Sequence, residues 1–529
     1  MTFNNEINHK TSAEVNTQIS SYFDIVDNAI AMSDTNKKYV IDAQASYSPS
    51  APIHAGSFTT FIISPTSDNT ADLYNGFIKA NIKIKLNLDS AITDLSNVAS
   101  KYELNSIWVG YKDSMDSVEK YEILSNGISI YTQNFGPEES FITACGANET
   151  AKRADVFSKV RHKDVFNKKL DLARCGEFIS VGKTTNLGEV DIPIKIDLRR
   201  FLPLSNIKYL PAFAGKLELK IMFGTSGLVW CPVGLPSALK NNIADLSKFS
   251  LSNITTEFTQ IGDPATMWVS ATEASGITTL TAENRTLTAE RNYEIYNTYT
   301  IIPNFGIDND IYSRLVQRYS QPGNELVFPT QILQFNPMSK QIRTGRFSST
   351  QTITPRFVDS IFFLFPHKQS HHTVFKNPLF NSFQLRCGGY GAVPTIPLAS
   401  DGSDPAFIEV CQNAMNVNAD QTGFNKEVVN SLCNTKDLNK CNGLTSNERT
   451  SFFIGLPTET DNCFQQGQTS NTPITYEIIG EIAKESTYGT NNQTVPLMCC
   501  LNDIALVISV QQGGLPPVVE FGAFDITSR

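Results

Sequence analysis

The chain has 529 residues with a formal net charge of −9, since 43 Lys and Arg face 52 Asp and Glu. Its 41% hydrophobic and 10% aromatic residues are enough for a large core and exclude a mainly disordered chain. The acidic balance argues against a dedicated nucleic-acid-binding surface, which needs a basic stripe. No run of 18 apolar residues predicts a membrane span, and the polar residues 1–16 predict no secretory signal.

The first predicted element is an amphipathic helix over residues 17–33. Its apolar residues recur every three or four positions and form one stripe. Such a helix can dock on its own core, on a neighbouring subunit or on a membrane surface, and docking on its own core is the default. Asp24 and Asp27 weaken the membrane alternative, because helices that lie on membranes favour Lys and Arg.

A first block of strands follows, between residues 55 and 235. Residues 76–88 alternate apolar and polar side chains strictly, which predicts a strand with one buried face. The same period predicts strands at 190–196 and 216–223, and residues 57–64 are a further predicted strand. Residues 121–132 predict a hairpin, because Asn126-Gly127 is a preferred two-residue turn. The charged stretch 149–172 is predicted to hold a helical excursion.

Residues 236–292 have weak periodicity and are assigned to a connecting segment, within which SNITTEF (252–258) and TMWVSAT (266–272) are strand alternatives. A second block, 293–529, then carries seven predicted strands, which lie near 297–303, 324–335, 347–355, 360–366, 380–387, 475–482 and 502–510. A short helix is predicted at 310–320. Residues 388–450 are rich in Gly, Asn and Cys and are assigned to a long loop insertion. The absence of βαβ alternation argues against a doubly wound fold, so the predicted fold class is all-β.

The sequence offers little for catalysis or cofactor binding. His367, His371 and His372 form an HKQSHH motif that looks like a metal clip, but no Cys or carboxylate stands nearby at ligand spacing, so a solvated loop is the prediction. The ten cysteines form no CxxC pair, and we expect them to be mostly free and partly buried. A local disulfide cluster among those between 411 and 463 is the less favoured alternative. We therefore predict no enzyme activity, no cofactor and no metal site.

At the second block the sequence resembles the double jelly-roll major capsid proteins of Polinton-like viruses and virophages, in the lineage of adenovirus hexons and tectivirus coats. The resemblance is in element order: a strand, a short helix and an extended segment over 296–335, then an Arg, Phe and Ser-Thr stretch leading into the Phe-rich strand of 345–365. Strand-like segments at 74–88, 100–135 and 190–223 match the first roll in outline. The resemblance covers about residues 55–510.

The resemblance implies two consecutive eight-stranded jelly rolls, one in 55–235 and one in 293–529, after an N-terminal arm of residues 1–54. It implies a major capsid protein that forms pseudo-hexagonal homotrimers and tiles an icosahedral shell around a double-stranded DNA genome. The protein would be made in the host cytoplasm and located in the virion. Penton and minor capsid proteins are implied partners, and contact with an internal membrane is left open.

In such coats the terminal arms often lie at the inner face of the capsid. Tyr22, Phe23, Val26 and Ile30 of the predicted N-terminal helix are therefore the candidate contacts with a partner or subunit. Two other classes stay open: a glycan-binding or adhesive β-sandwich, and a glycan-active enzyme with two carboxyl groups about 5–10 Å apart across a cleft.

Overall fold

The structure is a computed structural model. It describes residues 22–27, 53–65, 69–92, 106–146, 175–232, 258–274, 277–307, 309–321, 324–368, 370–388, 390–400, 406–415, 450–458, 470, 472–482, 494–510 and 517–523. The predicted helix at 149–172 and the cysteines Cys433, Cys441 and Cys463 lie outside these residues. The described cysteines are all free thiols, and all but Cys387 are buried.

Antiparallel sheets dominate both blocks, as the alternating pattern predicts. The strands of the first block are β1 Ile53–His54, β2 Phe58–Ile62, β3 Asn69–Asp72, β4 Phe77–Leu88, β5 Ser106–Tyr111, β6 Val118–Ser125, β7 Ile128–Gln133, β8 Cys175–Ser180, β9 Asn186–Asp197, β10 Tyr209–Pro211, β11 Leu217–Phe223 and β12 Val229–Pro232. Five strands follow β12 and precede the second jelly roll: β13 Thr259–Gln260, β14 Pro264–Ala274, β15 Ile277–Ala289, β16 Glu294–Ile301 and β17 Asn304–Gly306. Of these, β16 and β17 lie within 293–529, the range that the sequence analysis assigns to the second block.

The strands of the second block are β18 Leu326–Pro337, β19 Gly345–Ile353, β20 Val358–Leu364, β21 Phe380–Cys387, β22 Tyr390–Leu398, β23 Phe453–Pro457, β24 Ile474–Ile482, β25 Leu497–Ser509 and β26 Val518–Ala523. The helices are α1 over residues 22–27, α2 Gly136–Gly146, α3 Asn309–Tyr319 and α4 Ala406–Met415. Short 3-10 turns occupy Ser114–Ser117, Leu198–Arg200, Leu202–Leu204 and Ala212–Ala214. None of these helices is long and apolar enough to span a membrane.

The second block is an eight-stranded jelly roll. One sheet has the order β18-β25-β20-β23 and the other has the order β19-β24-β21-β22. Counted along the chain, these are strands 1-8-3-6 and 2-7-4-5, the order that two interleaved Greek keys produce. Phe362, Phe453 and Cys499 are among the buried side chains that fill the space between the two sheets.

The first block repeats much of this arrangement. Its four-stranded sheet has the order β2-β11-β6-β7, and these strands occupy the positions that β18, β25, β20 and β23 have in the second block. In the facing sheet, β4 pairs with β9 as β19 pairs with β24. The alternation of β4 is observed as predicted, since Ile78, Ile82 and Leu86 are buried while the intervening lysines face outward. The predicted class, an all-β double jelly roll, is confirmed.

Two segments differ from the sequence prediction. Strands β14 and β15 form a hairpin inside the segment assigned as a connection, and β15 and β16 extend the first sandwich by pairing with β4. Part of the long insertion also lies in the core, because Phe407 and Cys411 of α4 are buried in the second sandwich. The exact domain boundaries stay a prediction.

Candidate functional site: the junction between the two sandwiches

The two sandwiches share one hydrophobic core. Buried residues of β4, β9 and β11 belong to the same cluster as Phe328 of β18 and Leu506 and Ile508 of β25. The sheet that contains β18 and β25 therefore has its two ends in different cores, one end in the second roll and the other against the first. Such a continuous core resists hinge motion between the sandwiches, because any opening would expose apolar surface to water.

Helix α1 fills a notch in this junction. Tyr22 is fully buried, and its ring contacts Tyr319 and Phe328 edge-on at 6.1 Å between centroids in both cases. Its hydroxyl donates to the backbone carbonyl of Tyr209 at 3.4 Å. Asp27 accepts hydrogen bonds from the hydroxyl of Tyr209 at 2.5 Å and from Lys208 Nζ at 2.9 Å. The helix thus contacts the first sandwich on one side and the second on the other.

The four candidate contact residues on this helix have different environments. Tyr22 and Val26 are buried within the chain itself, while Phe23 is half-buried between the rings of Tyr209 and Phe328. Ile30 lies outside the described residues. In the structure, Tyr22 and Val26 dock on the core of their own chain. A contact of this helix with another chain stays a prediction.

Helix α2 connects the sandwiches at a second place. It follows β7 of the first block, yet Phe141, Ile142 and Cys145 lie in the core of the second sandwich. The ring of Phe141 lies 4.6 Å from that of Phe375. The helix is buried on nearly all sides, so it lacks a solvent-exposed polar face, and no sequence pattern predicts it.

Three consecutive polar residues of α2, Glu138, Glu139 and Ser140, bind groups on both sandwiches. Glu139 is fully buried and accepts hydrogen bonds from the Tyr121 hydroxyl at 2.8 Å, from Gln133 Nε2 at 2.8 Å and from the backbone N–H of Leu202 at 3.3 Å. Burial raises the pKa of the Glu139 carboxyl to about 7, because the hydrogen bonds only partly compensate for its removal from water.

The residues on either side of Glu139 also contact neighbouring elements. Ser140 donates to the buried carboxylate of Asp116 at 2.6 Å, and Glu138 contacts Nδ1 of His372 at 2.7 Å. Burial, together with the nearby charge of Asp113, raises the pKa of Asp116 to about 7. Glu139 and Ser140 therefore hold α2 to the first sandwich, while Glu138 reaches the second.

Direct polar contacts also cross the junction. Gln133 donates to the carbonyl of Leu333 at 3.0 Å, and the hydroxyl of Thr330 donates to the carbonyl of Leu202 at 2.9 Å. Lys112 Nζ donates to the carbonyl of Thr373 at 2.6 Å. These bonds satisfy backbone and side-chain groups that would otherwise be buried unpaired, which is costly.

The HKQSHH motif lies at the same junction. His371 is 4% exposed and contacts Asp263 through Nε2, and Lys368 donates to the same carboxylate at 2.6 Å. The prediction of a solvated loop is therefore wrong for His371, because the loop folds back onto the turn before β14. Within the described part of the chain, no three His, Cys, Asp or Glu side chains are grouped so that they could hold a metal ion.

The C-terminal strand adds a third link. β26 pairs with β25 of the second sandwich, and its Phe521 ring lies 5.7 Å from Tyr131 of β7 in the first. Asn126 Nδ2 donates to the carbonyl of Pro517 at 3.4 Å. The junction thus combines α1, α2, the histidine loop and β26 around a shared core, an arrangement suited to holding two sandwiches in one fixed orientation.

No protein-family model matches the sequence, and no curated protein sequence matches it. Among solved structures, the chain is similar to a chain in the cryo-EM structure of the Sputnik virophage, with 14% identity over 91% of this chain and 89% of that one and a TM-score of 0.42. It is also similar to the major capsid protein of mavirus, with 9% identity over 94% and 92% and a TM-score of 0.39. The Faustovirus major capsid protein gives 8% identity over 93% and 98% and a TM-score of 0.40.

Proposed function

We propose that this chain is a major capsid protein that self-associates into homotrimers and tiles a virus shell. The observation that carries the proposal is internal to the chain: two sandwiches with matching strand places are held in one orientation by a shared core. Jelly rolls are a recurrent architecture of viral capsid domains. A structural role, rather than a catalytic one, follows from this proposal.

A fixed pair of sandwiches in one chain suits the tiling of a shell. A chain with two similar sandwiches is a pseudo-dimer, so three copies around a threefold axis present six sandwiches and can tile as a hexagon. Tiling requires that the angle between sandwiches stays the same in every copy. The junction supports this requirement, because α1, α2 and β26 each contact both sandwiches.

The proposal extends to location and partners. The protein would reside in the virion around a double-stranded DNA genome, next to penton and minor capsid proteins. Contact with an internal membrane stays open. Among the candidate contact residues Tyr22, Phe23 and Val26, Phe23 is the one with remaining exposed surface for another chain, since Tyr22 and Val26 are buried in their own.

The mass of the purified chain in solution tests the proposal. We expect light scattering to give a stable species of three times 58.4 kDa that persists on dilution. A chain that stays monomeric at high concentration would overturn the trimer. Glycan binding by such a monomer, lost when the exposed Tyr74 is changed to Ala, would instead support the alternative of a glycan-binding sandwich.

A further inference from the structure

The loop between β20 and β21 holds the second sandwich to the first through two sets of polar contacts. In one, which we call the Asp263 arm, His371 and Lys368 contact Asp263 in the turn before β14. In the other, the Glu138 arm, His372 contacts Glu138 in the first turn of α2. Histidine is the side chain whose ordinary charge change falls in the physiological pH range, so the two arms merit separate treatment.

The geometry of His371 favours its neutral form. Nε2 faces Asp263, which assigns the N–H of the neutral ring to that nitrogen. Nδ1 is buried and has no hydrogen-bond partner among the described residues. A second proton would create an N–H at Nδ1 with no acceptor, and a buried unpaired donor is costly. Burial lowers the pKa of His371 even though the contact with Asp263 opposes the shift.

The charges around the Asp263 arm reinforce this preference. His367 lies 5.8 Å from His371 between ring centroids, and Lys368 and Lys376 are the cations that face both rings. Asp263 is the acidic group on the opposite side. Burial and these neighbouring cations lower the pKa of His367 to about 3. A proton added here therefore enters a site that already holds two lysines against one carboxylate.

At the Glu138 arm, protonation of the histidine has the opposite effect on the contact. His372 faces Glu138 at 2.7 Å, with Glu119 as the second acidic neighbour. The bond to Glu138 raises the pKa of His372, so protonation strengthens this contact. Acid therefore acts differently on two contacts that are made by adjacent residues of one loop.

We propose that this loop is an acid-sensitive clasp: as the pH falls from about 7.5 to about 5.5, protonation of His371 releases the Asp263 arm, while His372 retains the Glu138 arm. The released state would free the turn before β14 from the second sandwich without separating the two cores. The inference rests on the junction alone and does not depend on the proposed capsid role.

Hydrogen exchange at the two pH values tests the clasp, after correction for the intrinsic pH dependence of amide exchange. An open state in which His371 regains the ordinary histidine pKa near 6.5 gains up to about tenfold in population at pH 5.5 relative to pH 7.5, because the closed state disfavours protonation of this ring. We expect up to about tenfold lower protection at residues 258–265 and 366–368, with unchanged protection in α2.

Variants distinguish release of the Asp263 arm from a general loss of stability at low pH. His371→Gln keeps an N–H toward Asp263 but cannot be protonated, so it should remove the acid response, whereas His54→Gln, at an exposed histidine on β1, should leave it intact. If His371→Gln does not fold, His372→Gln serves, because it should lower protection in α2 at pH 5.5 and keep the response at residues 258–265. Equal protection of the wild-type turn at both pH values, or an acid response that survives in His371→Gln, would overturn the proposal.

Discussion

Glu139 shows most clearly how a single residue holds α2 in the junction between the sandwiches. Its carboxyl is buried among a tyrosine, a glutamine and a backbone N–H, and its partners lie in β6, β7 and the turn at Leu202. Three donors make the site favourable for an acceptor, but burial disfavours the negative charge. The residue therefore makes the stability of the junction depend on pH.

We predict that Glu139→Gln changes this pH dependence. The folded chain holds a proton on Glu139 up to about pH 7, whereas the unfolded chain releases it near pH 4.5. The free energy of unfolding therefore falls as the pH rises between these values, by up to about 3 kcal/mol from this group. Chemical denaturation at several pH values should show that the wild type loses stability relative to Glu139→Gln across this range.

The exposed Glu294 on β16 provides the matched control. Glu294→Gln should follow the wild type at every pH, because an exposed carboxyl loses little solvation on folding. The pKa of Asp116 is raised, as that of Glu139 is, so Asp116 also lowers the free energy of unfolding as the pH rises. Part of the pH dependence of the wild type should therefore remain in Glu139→Gln. A constant stability difference between wild type and Glu139→Gln from pH 4.5 to 7 would contradict the assignment.

At this scale, the sequence predicts the strand residues well and the junction residues poorly. The alternation in β4 marks Ile78, Ile82 and Leu86 as buried, since a strand's two faces are readable from its own residues. Glu139 has no such signal, because Gln133 and Leu202 stand 6 and 63 residues away. His371 was assigned to solvent for the same reason: its partner Asp263 is 108 residues away.

Among the elements, α1 makes the most direct test of docking. Tyr22→Ala removes a fully buried aromatic ring, a change that typically costs about 3–5 kcal/mol. Since a terminal segment can undock without global unfolding, we expect the loss mainly as faster amide exchange and faster proteolysis at residues 22–27.

Tyr22→Phe is the matched variant for this test. It keeps the ring contacts with Tyr319 and Phe328 and removes only the long hydroxyl bond to Tyr209. We expect its exchange to stay close to that of the wild type. If Tyr22→Ala behaved like Tyr22→Phe, the docking of α1 in the junction would be contradicted.

The elements that sequence reasoning missed share a physical cause. α2 is buried on nearly all sides, so it lacks the apolar stripe by which an amphipathic helix is recognised. β15 is rich in Thr and lacks strict alternation, whereas its hairpin partner β14 contains the strand alternative TMWVSAT at 266–272. By contrast, the hairpin at Asn126-Gly127 was predicted correctly, because both residues have the positive φ angles that a type I′ turn requires.

At the scale of the molecule, two jelly rolls could be predicted, but their junction could not. Strand count and element order are local properties that accumulate along the chain. The shared core depends on pairs such as Tyr22 with Phe328 and Phe141 with Phe375, which no periodicity relates. The fixed orientation of the two sandwiches therefore becomes apparent only in the folded chain.

The central claim is that the rigid double sandwich is the building unit of a trimeric capsomer. Cryo-EM of the purified chain, classified without imposed symmetry, tests it most directly. We predict particles with threefold symmetry in which six sandwiches form a hexagonal outline, two from each chain at a constant angle. Particles with a single pair of sandwiches, or assemblies in which that angle varies between copies, would contradict the account.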